Sequence, residues 1–587
     1  MTKQQQRGTL NTSHSKYIAP LVIAAIAALL YWFWAYPCRA ALSYREQLQL
    51  FQSTGSYFNA LASRPGGIAT YAGEFLTQFF NNYWIGAAVM AGMMLIFFLL
   101  CRSINNKFAP YAPRALNFSL PLLPLTALLL CLGNPDVLVS FIVALSLSIG
   151  GACLFTSNKT YPVMLAAIIL HYWATGPVTI VYSLLIITYI CSDSQTKTTK
   201  KATFAAATIA WLAANIWLWS YFLPYPISYQ LIGIGYTMFP DTLLAYIPLV
   251  EFVCVATPLV ALLLAKSPQK ITVPSVIAAA GIAFALIYPK AYDKVTYRLI
   301  DYDYMVRAND WDGILQYSNA HDPVLPLSVS ATNLALGMTG QLDSRAFAYF
   351  QHGAEGLIPP FSKETLSSWT TGEIFFQLGL INSAQRFYFE GMEAIPNYNK
   401  SSRAVRRLAE TAMIRGEYAV AEKYLHLLEN TLFYRKCAQR NLALIKKPNG
   451  VDNHPLYGRL RQRMIDEEYM FSEGELDKTL GQLFLKNPDN SLARQYLIVY
   501  PLLQRDLNKF AQYMGVVAEA QPQYNPPLAQ QVMAFMAMKN GQALPPGAVA
   551  PGVEQSLRDF AQAWTAKDAA RLEPYRRSLY YYLLSNE

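Results

Sequence analysis

The sequence predicts an all-α protein in which a polytopic helical membrane domain of about nine spans precedes an exported helical-repeat domain. Of the 587 residues, 53% are hydrophobic and only 14% are charged, whereas soluble proteins carry about 25% charged residues. Residues 118–264 contain only eight Asp, Glu, Lys or Arg residues. After residue 288 the charges return, and apolar residues recur at i, i+3, i+4 and i+7, the spacing of amphipathic helices. We therefore expect residues 1–288 in the membrane and residues 289–587 outside it.

Nine apolar segments are candidate spans, because about 20 residues cross the roughly 30 Å hydrocarbon core of a bilayer. The fifth and sixth segments are too short to cross alone, so they predict a half-buried hairpin around residues 173–177. The nine segments are Tyr17–Tyr36, Tyr83–Leu100, Phe118–Leu132, Val137–Phe155, Tyr161–His171, Val178–Cys191, Ala202–Tyr221, Leu243–Leu264 and Ile271–Tyr288.

The Lys and Arg residues that flank these segments predict the orientation of the chain. With the N-terminus inside, the inner segments hold twelve of them and the outer loops hold three, in agreement with the positive charge of cytoplasmic loops. The first segment ends in Trp-Phe-Trp-Ala-Tyr-Pro without a small-residue cleavage site, so we expect an uncleaved anchor. This topology predicts a bacterial inner-membrane protein with a cytoplasmic N-terminus and a periplasmic C-terminal domain.

The exported half contains a repeating pattern of two helices joined by a glycine turn. Gly379 and Gly416 are 37 residues apart, and an alanine follows each glycine five residues later. Turns of the same kind are expected at residues 340, 505–506 and 540–541. The pattern resembles degenerate tetratricopeptide repeats, whose concave face usually binds peptides or proteins. The alternative is a packed helical cap without a ligand.

Three further stretches of sequence carry a resemblance to a known family. With the layout of the spans, they resemble a family of uncharacterised bacterial polytopic membrane proteins that has a tetratricopeptide-like tail. The layout is also distantly similar to that of the GT-C glycosyltransferases, which use polyprenyl-phosphate-linked sugars on the outer face. The three stretches are Arg64-Pro65-Gly66-Gly67 with the following Glu74-Phe75-Leu76 and Gln78-Phe79-Phe80, then Asp310-Trp311-Asp312-Gly313-Ile314, then Gly356-Leu357-Ile358-Pro359-Pro360.

The first outer loop, residues 37–82, contains the candidate catalytic residues. Residues 40–51 and 68–80 have the pattern of amphipathic helices that lie in the headgroup plane. The likeness to GT-C enzymes implies that an acid of this loop acts as the general base. The acids of the loop are Glu46 and Glu74. The alternative is that both are ordinary residues of a polar helix face.

The same loop holds the candidate residues for binding a lipid phosphate. Its three cations, Arg39, Arg45 and Arg64, depart from the preference for cytoplasmic positive charge. Guanidinium groups match phosphate in a bidentate geometry, so a polyprenyl phosphate or a phospholipid headgroup is the expected ligand. The alternative is that these long side chains reach the aqueous interface without binding anything.

Within the spans, Glu251 is the clearest candidate polar residue. A carboxylate inside a bilayer costs about 2.5–3.5 kcal/mol on insertion scales, so it is expected to function or to have a partner, with His171 as one choice. We also expect Asp136, Asp241 and residues 171–173 to gather near the outer surface. The alternative is a single protonated or hydrogen-bonded structural glutamate.

Other motifs exclude several classes of protein. The seven cysteines include no CxxC pair, so we expect neither a disulfide framework nor a metal site. The chain lacks the motifs of nucleotide hydrolysis, zinc proteolysis and α/β-hydrolase chemistry, and we expect no cofactor. We interpret Asp301-Tyr302-Asp303 as solvated helix surface. The net charge of +10 is partly carried by inner-loop lysines, so it does not indicate a nucleic-acid partner.

Three functions stay open at this stage. The first is a membrane scaffold of the cell envelope whose exported repeats bind a protein or glycan partner. The second is a GT-C-like glycosyltransferase that takes a sugar or glycan from a polyprenyl phosphate. The third is a transporter, although nine spans do not divide into the equal repeats that carriers usually show. A cavity that exposes Glu46 or Glu74 beside one of the loop arginines would favour the transferase.

Overall fold

A computed structural model of the chain describes residues 3–156, 160–223, 227–231, 234–239, 246–265, 267–396, 400–465, 476–545 and 547–585. These residues form helices joined by turns, and the only strand-like feature among them is one bridge between Val137 and Thr237. The all-α prediction is therefore confirmed. The chain divides into two compact units. One comprises residues 1–297, 395–402 and 430–435, and the other comprises residues 298–394, 403–429 and 436–587.

The first unit packs its helices around one large apolar core that includes Trp34, Phe97, Phe141 and Tyr182. Its helices are Lys3–Ala35, Arg39–Gln47, Gly55–Ala62, Gly67–Thr77, Tyr83–Phe108, Arg114–Ser119, Leu122–Cys131, Ser140–Phe155, Tyr161–Thr175, Thr179–Ser192, Thr198–Phe222, Ile227–Leu231, Tyr246–Leu264 and Gln269–Ala291, with 3₁₀ turns at Gln78–Asn81, Gly176–Val178 and Ile234–Tyr236.

Six segments of this unit are long and apolar enough to cross a membrane, or up to seven if one bent helix pair forms a single span. That pair is Ala19–Ala35 with Arg39–Gln47, and its two helices meet at 68°. The chain is thus a membrane protein with several candidate spans in its first half. The six segments are Tyr83–Phe108, Arg114–Cys131, Tyr161–Ser192, Thr198–Phe222, Tyr246–Leu264 and Thr272–Ala291.

Three differences explain why nine predicted segments become six or seven. The first predicted segment qualifies only as part of the bent pair, and Ser140–Phe155 is 16 residues long, too short to be counted. The fifth and sixth predicted segments are counted together as Tyr161–Ser192. Side-chain contacts nevertheless show that this last stretch folds back on itself, as the sequence predicted.

The fold-back follows from two contacts between the helices Tyr161–Thr175 and Thr179–Ser192. The Tyr182 hydroxyl donates a hydrogen bond of 3.1 Å to the Met164 carbonyl. The rings of His171 and Tyr182 stack with centroids 4.0 Å apart. In a straight helix, residues 18 positions apart would be separated by about 27 Å. The two helices therefore form a hairpin, and its tip is the turn at residues 175–178.

Gly73 allows the Gly67–Thr77 helix to approach the Ser140–Phe155 helix closely. A Cβ atom on Gly73 would lie 2.5 Å from the Cα of Ser140, so Gly73→Ala is expected to lower the free energy of unfolding by roughly 1–3 kcal/mol through overpacking. Gly55→Ala is the matched control, because a Cβ there meets no atom within 4 Å. Thermal unfolding of the purified chain measures both, and equal midpoints for the two variants would contradict this packing.

The second half of the chain consists of successive helices. The predicted turns all contain a residue with left-handed backbone, with φ of +72° at Gly340, +99° at Gly379, +81° at Gly416, +60° at Arg505 and +65° at Gly541. The helices are Lys294–Ala308, Trp311–Ala320, Pro326–Met338, Leu342–Arg345, Thr365–Leu378, Ile381–Glu393, Ser402–Arg415, Tyr418–Glu429, Arg435–Ile445, Tyr457–Arg463, Leu476–Lys486, Ser491–Leu503, Leu507–Ala520, Pro527–Lys539, Pro551–Thr565, Ala569–Leu572 and Leu579–Leu584.

A buried ion pair in this half corrects the interpretation of Asp301-Tyr302-Asp303 as solvated surface. Asp303 is 1% exposed and accepts two hydrogen bonds, of 2.7 and 2.8 Å, from the guanidinium of Arg403. Asp301 is half-buried and accepts a 3.2 Å hydrogen bond from Tyr317. The sequence interpretation was wrong for Asp303 because its partner lies 100 residues further along the chain.

The helix that carries Arg403 holds further arginines that pair with buried glutamates, one on the same helix and one on the helix Thr365–Leu378. Arg407 lies 2.9 Å from Glu373 and also pairs with Glu410. Arg406 lies 2.9 Å from Glu410. Both glutamates are 1% exposed. Burial alone would raise the pKa of Glu410, but the guanidinium groups of Arg407 and Arg406 outweigh it and lower the pKa to about 2. The charge of Arg407 likewise helps to lower the pKa of Glu373, so both glutamates stay ionised beside an arginine.

Candidate functional site

The first loop folds so that its glycine turn meets the tip of the membrane hairpin. Gly66 has φ of +77°, which a residue with a side chain rarely adopts. Its amide donates a 2.9 Å hydrogen bond to the Trp173 carbonyl. A Cβ atom on Gly67 would lie 1.8 Å from the Leu61 carbonyl oxygen, so this position also requires glycine. The turn thereby fixes Arg64 beside the hairpin.

The hairpin tip is adapted to receive this turn. Gly176 also has positive φ, and a Cβ on it would lie 3.3 Å from the Cα of Gly66. The Trp173 indole donates a 2.8 Å hydrogen bond to the Ala62 carbonyl. The Tyr236 hydroxyl donates one of 2.6 Å to the Thr175 carbonyl. Three segments distant in sequence are therefore held together around one point.

A cavity of about 120 Å³ lies between these three segments. A single water needs roughly 10–15 Å³ on the same measure, so the cavity has room for a hydrated ligand group. Its wall combines a cation, a carboxylate and uncharged hydrogen-bonding groups with apolar side chains. The lining residues are Arg64, Pro65, Gly66, Thr70, Glu74, Leu138, Tyr172, Pro177, Leu223, Gln230, Gly235, Tyr236, Thr237 and Met238.

Glu74 is the carboxylate of this cavity, and two residues that do not line the cavity hold it in place by hydrogen bonds. The Tyr57 hydroxyl donates a hydrogen bond to one of its carboxylate oxygens, and Gln49 donates one of 3.0 Å to its backbone carbonyl. Burial raises the pKa of the Glu74 carboxyl, while the Tyr57 hydrogen bond and the charge of Arg64 only partly oppose that shift. A carboxylate whose pKa is raised towards neutrality is suited to accept and return a proton.

Gln230 and Tyr172 are two of the uncharged polar residues in the wall of the cavity. Gln230 is 5% exposed, and its Nε2 atom has no hydrogen-bond partner among the residues that the structure describes. The Tyr172 hydroxyl lies 3.4 Å from both the backbone oxygen and the side-chain Oε1 of Gln230. The Tyr172 hydroxyl therefore faces the two oxygens of Gln230, whereas the NH₂ group of its side chain has no described partner.

The structure places Glu46 elsewhere. Glu46 is 4% exposed, and its carboxylate accepts hydrogen bonds of 3.0 and 3.1 Å from Tyr434 and of 3.2 Å from Ser402. It borders a separate cavity of about 10 Å³, which is too small for more than one water. The two acids of the loop thus border different cavities, and of the two only Glu74 lines the larger one.

The three loop arginines are separated in the same way. Arg64 lines the larger cavity, whereas Arg39 is exposed and Arg45 is buried. The Nη2 atom of Arg45 donates hydrogen bonds of 2.5 and 2.8 Å to the carbonyls of Leu132 and Asn134. Its guanidinium also lies 5.7 Å from the ring centroid of Trp34. Arg45 therefore binds the end of the Leu122–Cys131 helix, where cations are favoured.

Glu251 and His171, the predicted intramembrane pair, are not joined by a hydrogen bond in the described part of the chain. His171 shares a 2.9 Å hydrogen bond with the Ala167 carbonyl. The Oε1 atom of Glu251 is buried without a described partner. Burial, and next the charge of Glu251, raise the pKa of the Tyr236 phenol. Glu251 itself does not line the cavity.

The expected polar cluster forms in part. Tyr172 lines the cavity, and the backbone carbonyl of Asp136 accepts a 2.7 Å hydrogen bond from the amide of Met238, another lining residue. Asp241 lies outside the described residues. Among those residues, no group of three or more His, Cys, Asp or Glu is placed to hold a metal ion.

Sequence reasoning missed Tyr57, Gln230 and Tyr236. None of them is charged, and the last two lie in the stretch between two predicted spans, where no periodic pattern marks them. A signal was present in the density of Tyr, Gly and Pro residues at 223–240, which is unusual for a simple connecting loop.

Comparison with known proteins gives a family but no activity. The model of a family of unknown function (DUF6057) matches residues 13–586. No curated protein and no solved structure matches the chain. The resemblance to an uncharacterised family is therefore confirmed over nearly the whole chain, and the function has to be argued from the cavity.

Proposed function

The chain belongs to the DUF6057 family of unknown function, and from that premise we propose that it is a membrane glycosyltransferase that uses a polyprenyl-phosphate-linked sugar. One observation carries the proposal. Of the two acids and three arginines in the first loop, one acid and one arginine, Glu74 and Arg64, line the same cavity. The apolar Leu138, Leu223 and Met238 on the same wall suit a ligand that joins a polar headgroup to a lipid chain.

The proposed reaction assigns one role to each of the two charged residues. Glu74 accepts the proton of an acceptor hydroxyl while the hydroxyl oxygen bonds to the anomeric carbon of the sugar. The bond between that carbon and the phosphate oxygen breaks, and the lipid phosphate leaves with the electron pair. Arg64 stabilises the negative charge of the departing phosphate, because a guanidinium offers it two parallel donors. Tyr57 holds the carboxylate of Glu74 in place.

We place the protein in a bacterial inner membrane, with the N-terminus in the cytoplasm and the C-terminal half in the periplasm. The excess of Lys and Arg in the inner segments supports this orientation. Reporter fusions check it. A fusion at residue 198 should be active only with a cytoplasmic reporter, and a fusion at residue 300 only with a periplasmic one. The opposite result at either position would contradict the topology.

Removal of the Arg64 guanidinium should weaken phosphate binding specifically. Arg64→Ala is expected to raise the Kd for farnesyl phosphate about 10- to 100-fold, since hydrogen bonds to a charged group contribute about 1.5–3 kcal/mol. Calorimetry on the full chain in lipid nanodiscs measures this Kd. Arg39→Ala is the matched control, because Arg39 belongs to the same loop but does not line the cavity. Equal affinities for the two variants would remove Arg64 from the phosphate site.

A second function, a scaffold of the cell envelope that binds a protein or glycan partner, is favoured by the second half of the chain. The helices that follow one another at turns of positive φ, and the buried ion pairs between them, suit a rigid tetratricopeptide-like surface. The two functions differ in one expected result. If the protein is a scaffold, a Glu74→Gln variant should fully restore a strain that lacks the gene. If it is a transferase, the variant should not restore the strain.

A further inference from the structure

We propose that Gln230 is a specificity-determining residue that donates a hydrogen bond to an uncharged oxygen of the ligand headgroup, so that the cavity selects a hydroxyl-bearing group such as a sugar ring. This inference rests on the proposed function in one respect, namely that the cavity holds the polar end of a lipid-linked ligand. It adds a residue that recognises the transferred group, beside the proposed base Glu74 and the proposed phosphate ligand Arg64.

The side-chain amide of Gln230 has a hydrogen-bond donor that no described residue uses. Its side chain is buried in the cavity wall, and Nε2 lacks a partner among the described residues. The Tyr236 hydroxyl lines the same cavity and donates to the Thr175 carbonyl at 2.6 Å, and its oxygen accepts no hydrogen bond from Nε2 of Gln230. A buried amide that has lost its water without gaining a partner is destabilising. A ligand oxygen in the cavity would restore the lost hydrogen bond.

The contact with Tyr172 bears on the orientation of the Gln230 amide. The Tyr172 hydroxyl lies 3.4 Å from Oε1 of Gln230, at the long end of hydrogen-bond distance. A phenol that donates to Oε1 leaves the NH₂ group as the part of the amide available to a ligand. The same phenol oxygen can accept a hydrogen bond. Gln230 and Tyr172 together therefore offer both a donor and an acceptor.

The chemistry of the ligand follows from this combination. A sugar hydroxyl both donates and accepts, so it can engage the amide NH₂ and the Tyr172 oxygen. The oxygens of an ionised phosphate diester only accept, and their charge is matched by the guanidinium of Arg64 rather than by a neutral amide. The cavity thus has one group suited to phosphate and a separate neutral pair suited to a sugar.

The experiment compares three probes on the full chain in lipid nanodiscs: farnesyl phosphate, farnesyl β-glucoside and farnesyl-phosphoryl-glucose. In Gln230→Leu, the Kd for each glucose-bearing probe is expected to rise about tenfold, as for the loss of one neutral hydrogen bond. The Kd for farnesyl phosphate should stay within about twofold of the wild-type value. Gln230→Met keeps an unbranched side chain of similar length but lacks the NH₂ donor and adds no charge, so it should show the same selective loss.

The outcomes separate this inference from the proposed function. A glucoside Kd that depends on Gln230, without any binding of farnesyl phosphate, supports the role of Gln230 and refutes a phosphate site at Arg64. Binding of farnesyl phosphate that depends on Arg64, with glucose-bearing probes unaffected by both Gln230 variants or not bound at all, overturns the role of Gln230. Melting temperatures of the two variants near the wild-type value ensure that the compared chains are folded.

Discussion

Replacing Glu74 by glutamine is expected to lower the rate of sugar transfer about 10²- to 10⁴-fold, the usual contribution of a general base. Glutamine keeps the shape of the side chain and can still accept the hydrogen bond from Tyr57, but it cannot take a proton from the acceptor. The measurement is the amount of envelope glycan in a strain that lacks the gene and carries the variant. Wild-type glycan in the Glu74→Gln strain would refute the catalytic assignment.

Glu74→Gln, which is expected to lower activity, is also expected to raise the stability of the protein at high pH. Burial raises the pKa of Glu74, so above the ordinary pKa of about 4.3 the unfolded chain loses this proton before the native chain does. Ionisation of Glu74 therefore costs stability as pH rises. The melting temperature of Glu74→Gln is expected to equal that of the wild type near pH 4 and to exceed it at pH 8. A lower melting temperature at pH 8 would mean that Glu74 has a structural role.

Glu46→Gln is the matched control for activity, because it makes the same change in the other acid of the loop. Glu46 accepts hydrogen bonds from Tyr434 and Ser402 and does not line the larger cavity. Folded Glu46→Gln protein is expected to restore glycan fully, although its melting temperature should fall. Equal loss of glycan in both variants at equal amounts of protein would show that neither acid is the base.

The sequence was sufficient to identify the loop but not to choose between its acids. A long loop with three arginines, between two predicted spans and on the side predicted to be outside, is conspicuous because positive charge is normally kept inside. Glu46 and Glu74 both occupy helical segments, and nothing in their neighbours distinguishes them. What separates them is tertiary structure: the turn at Gly66 meets Gly176, more than 100 residues later, and thereby places Glu74 in the cavity.

Charge patterns were also a poor guide to residues that act through hydrogen bonds alone. Gln230 and Tyr236 carry no charge, and they lie between predicted spans, where hydropathy gives no assignment. A hairpin in residues 161–192, in contrast, could be suggested from segment length, because each half is short for crossing a bilayer alone. Length and hydropathy thus locate the apolar segments, although nine predicted spans become six or seven candidates, whereas the contents of a cavity depend on contacts between distant segments.

The buried ion pair of the second half is another feature that depends on a contact between distant segments. By default, an Asp-Tyr-Asp sequence on a helix belongs to solvent, but here Asp301 is half-buried and both Tyr302 and Asp303 are buried. Asp303 is buried only because Arg403 approaches it, and no local pattern announces a partner at that separation. A buried carboxylate therefore has to be found from the structure, and its energetic role can then be tested.

Removing the Arg403 side of this pair should destabilise the second half strongly. Arg403→Met is expected to lower the free energy of unfolding by about 3–5 kcal/mol, because Asp303 would stay buried without its cation. Chemical unfolding of the full chain in detergent measures the change. Arg386→Met is the matched control, since Arg386 forms an exposed pair with Glu390 at 3.9 Å, and such pairs contribute about 0–1 kcal/mol.

The double variant Asp303→Leu with Arg403→Met separates the cost of an unpaired charge from the value of the pair itself. Two apolar side chains of similar volume leave no buried charge, so most of the lost stability should return, and the double variant should be more stable than Arg403→Met alone. The guanidinium of Arg403 also lies 5.1 Å from the Trp369 ring centroid, so part of the loss reflects that contact and should remain. If instead Arg403→Met costs no more than Arg386→Met, Asp303 is hydrated in solution and the pair does not hold these helices together.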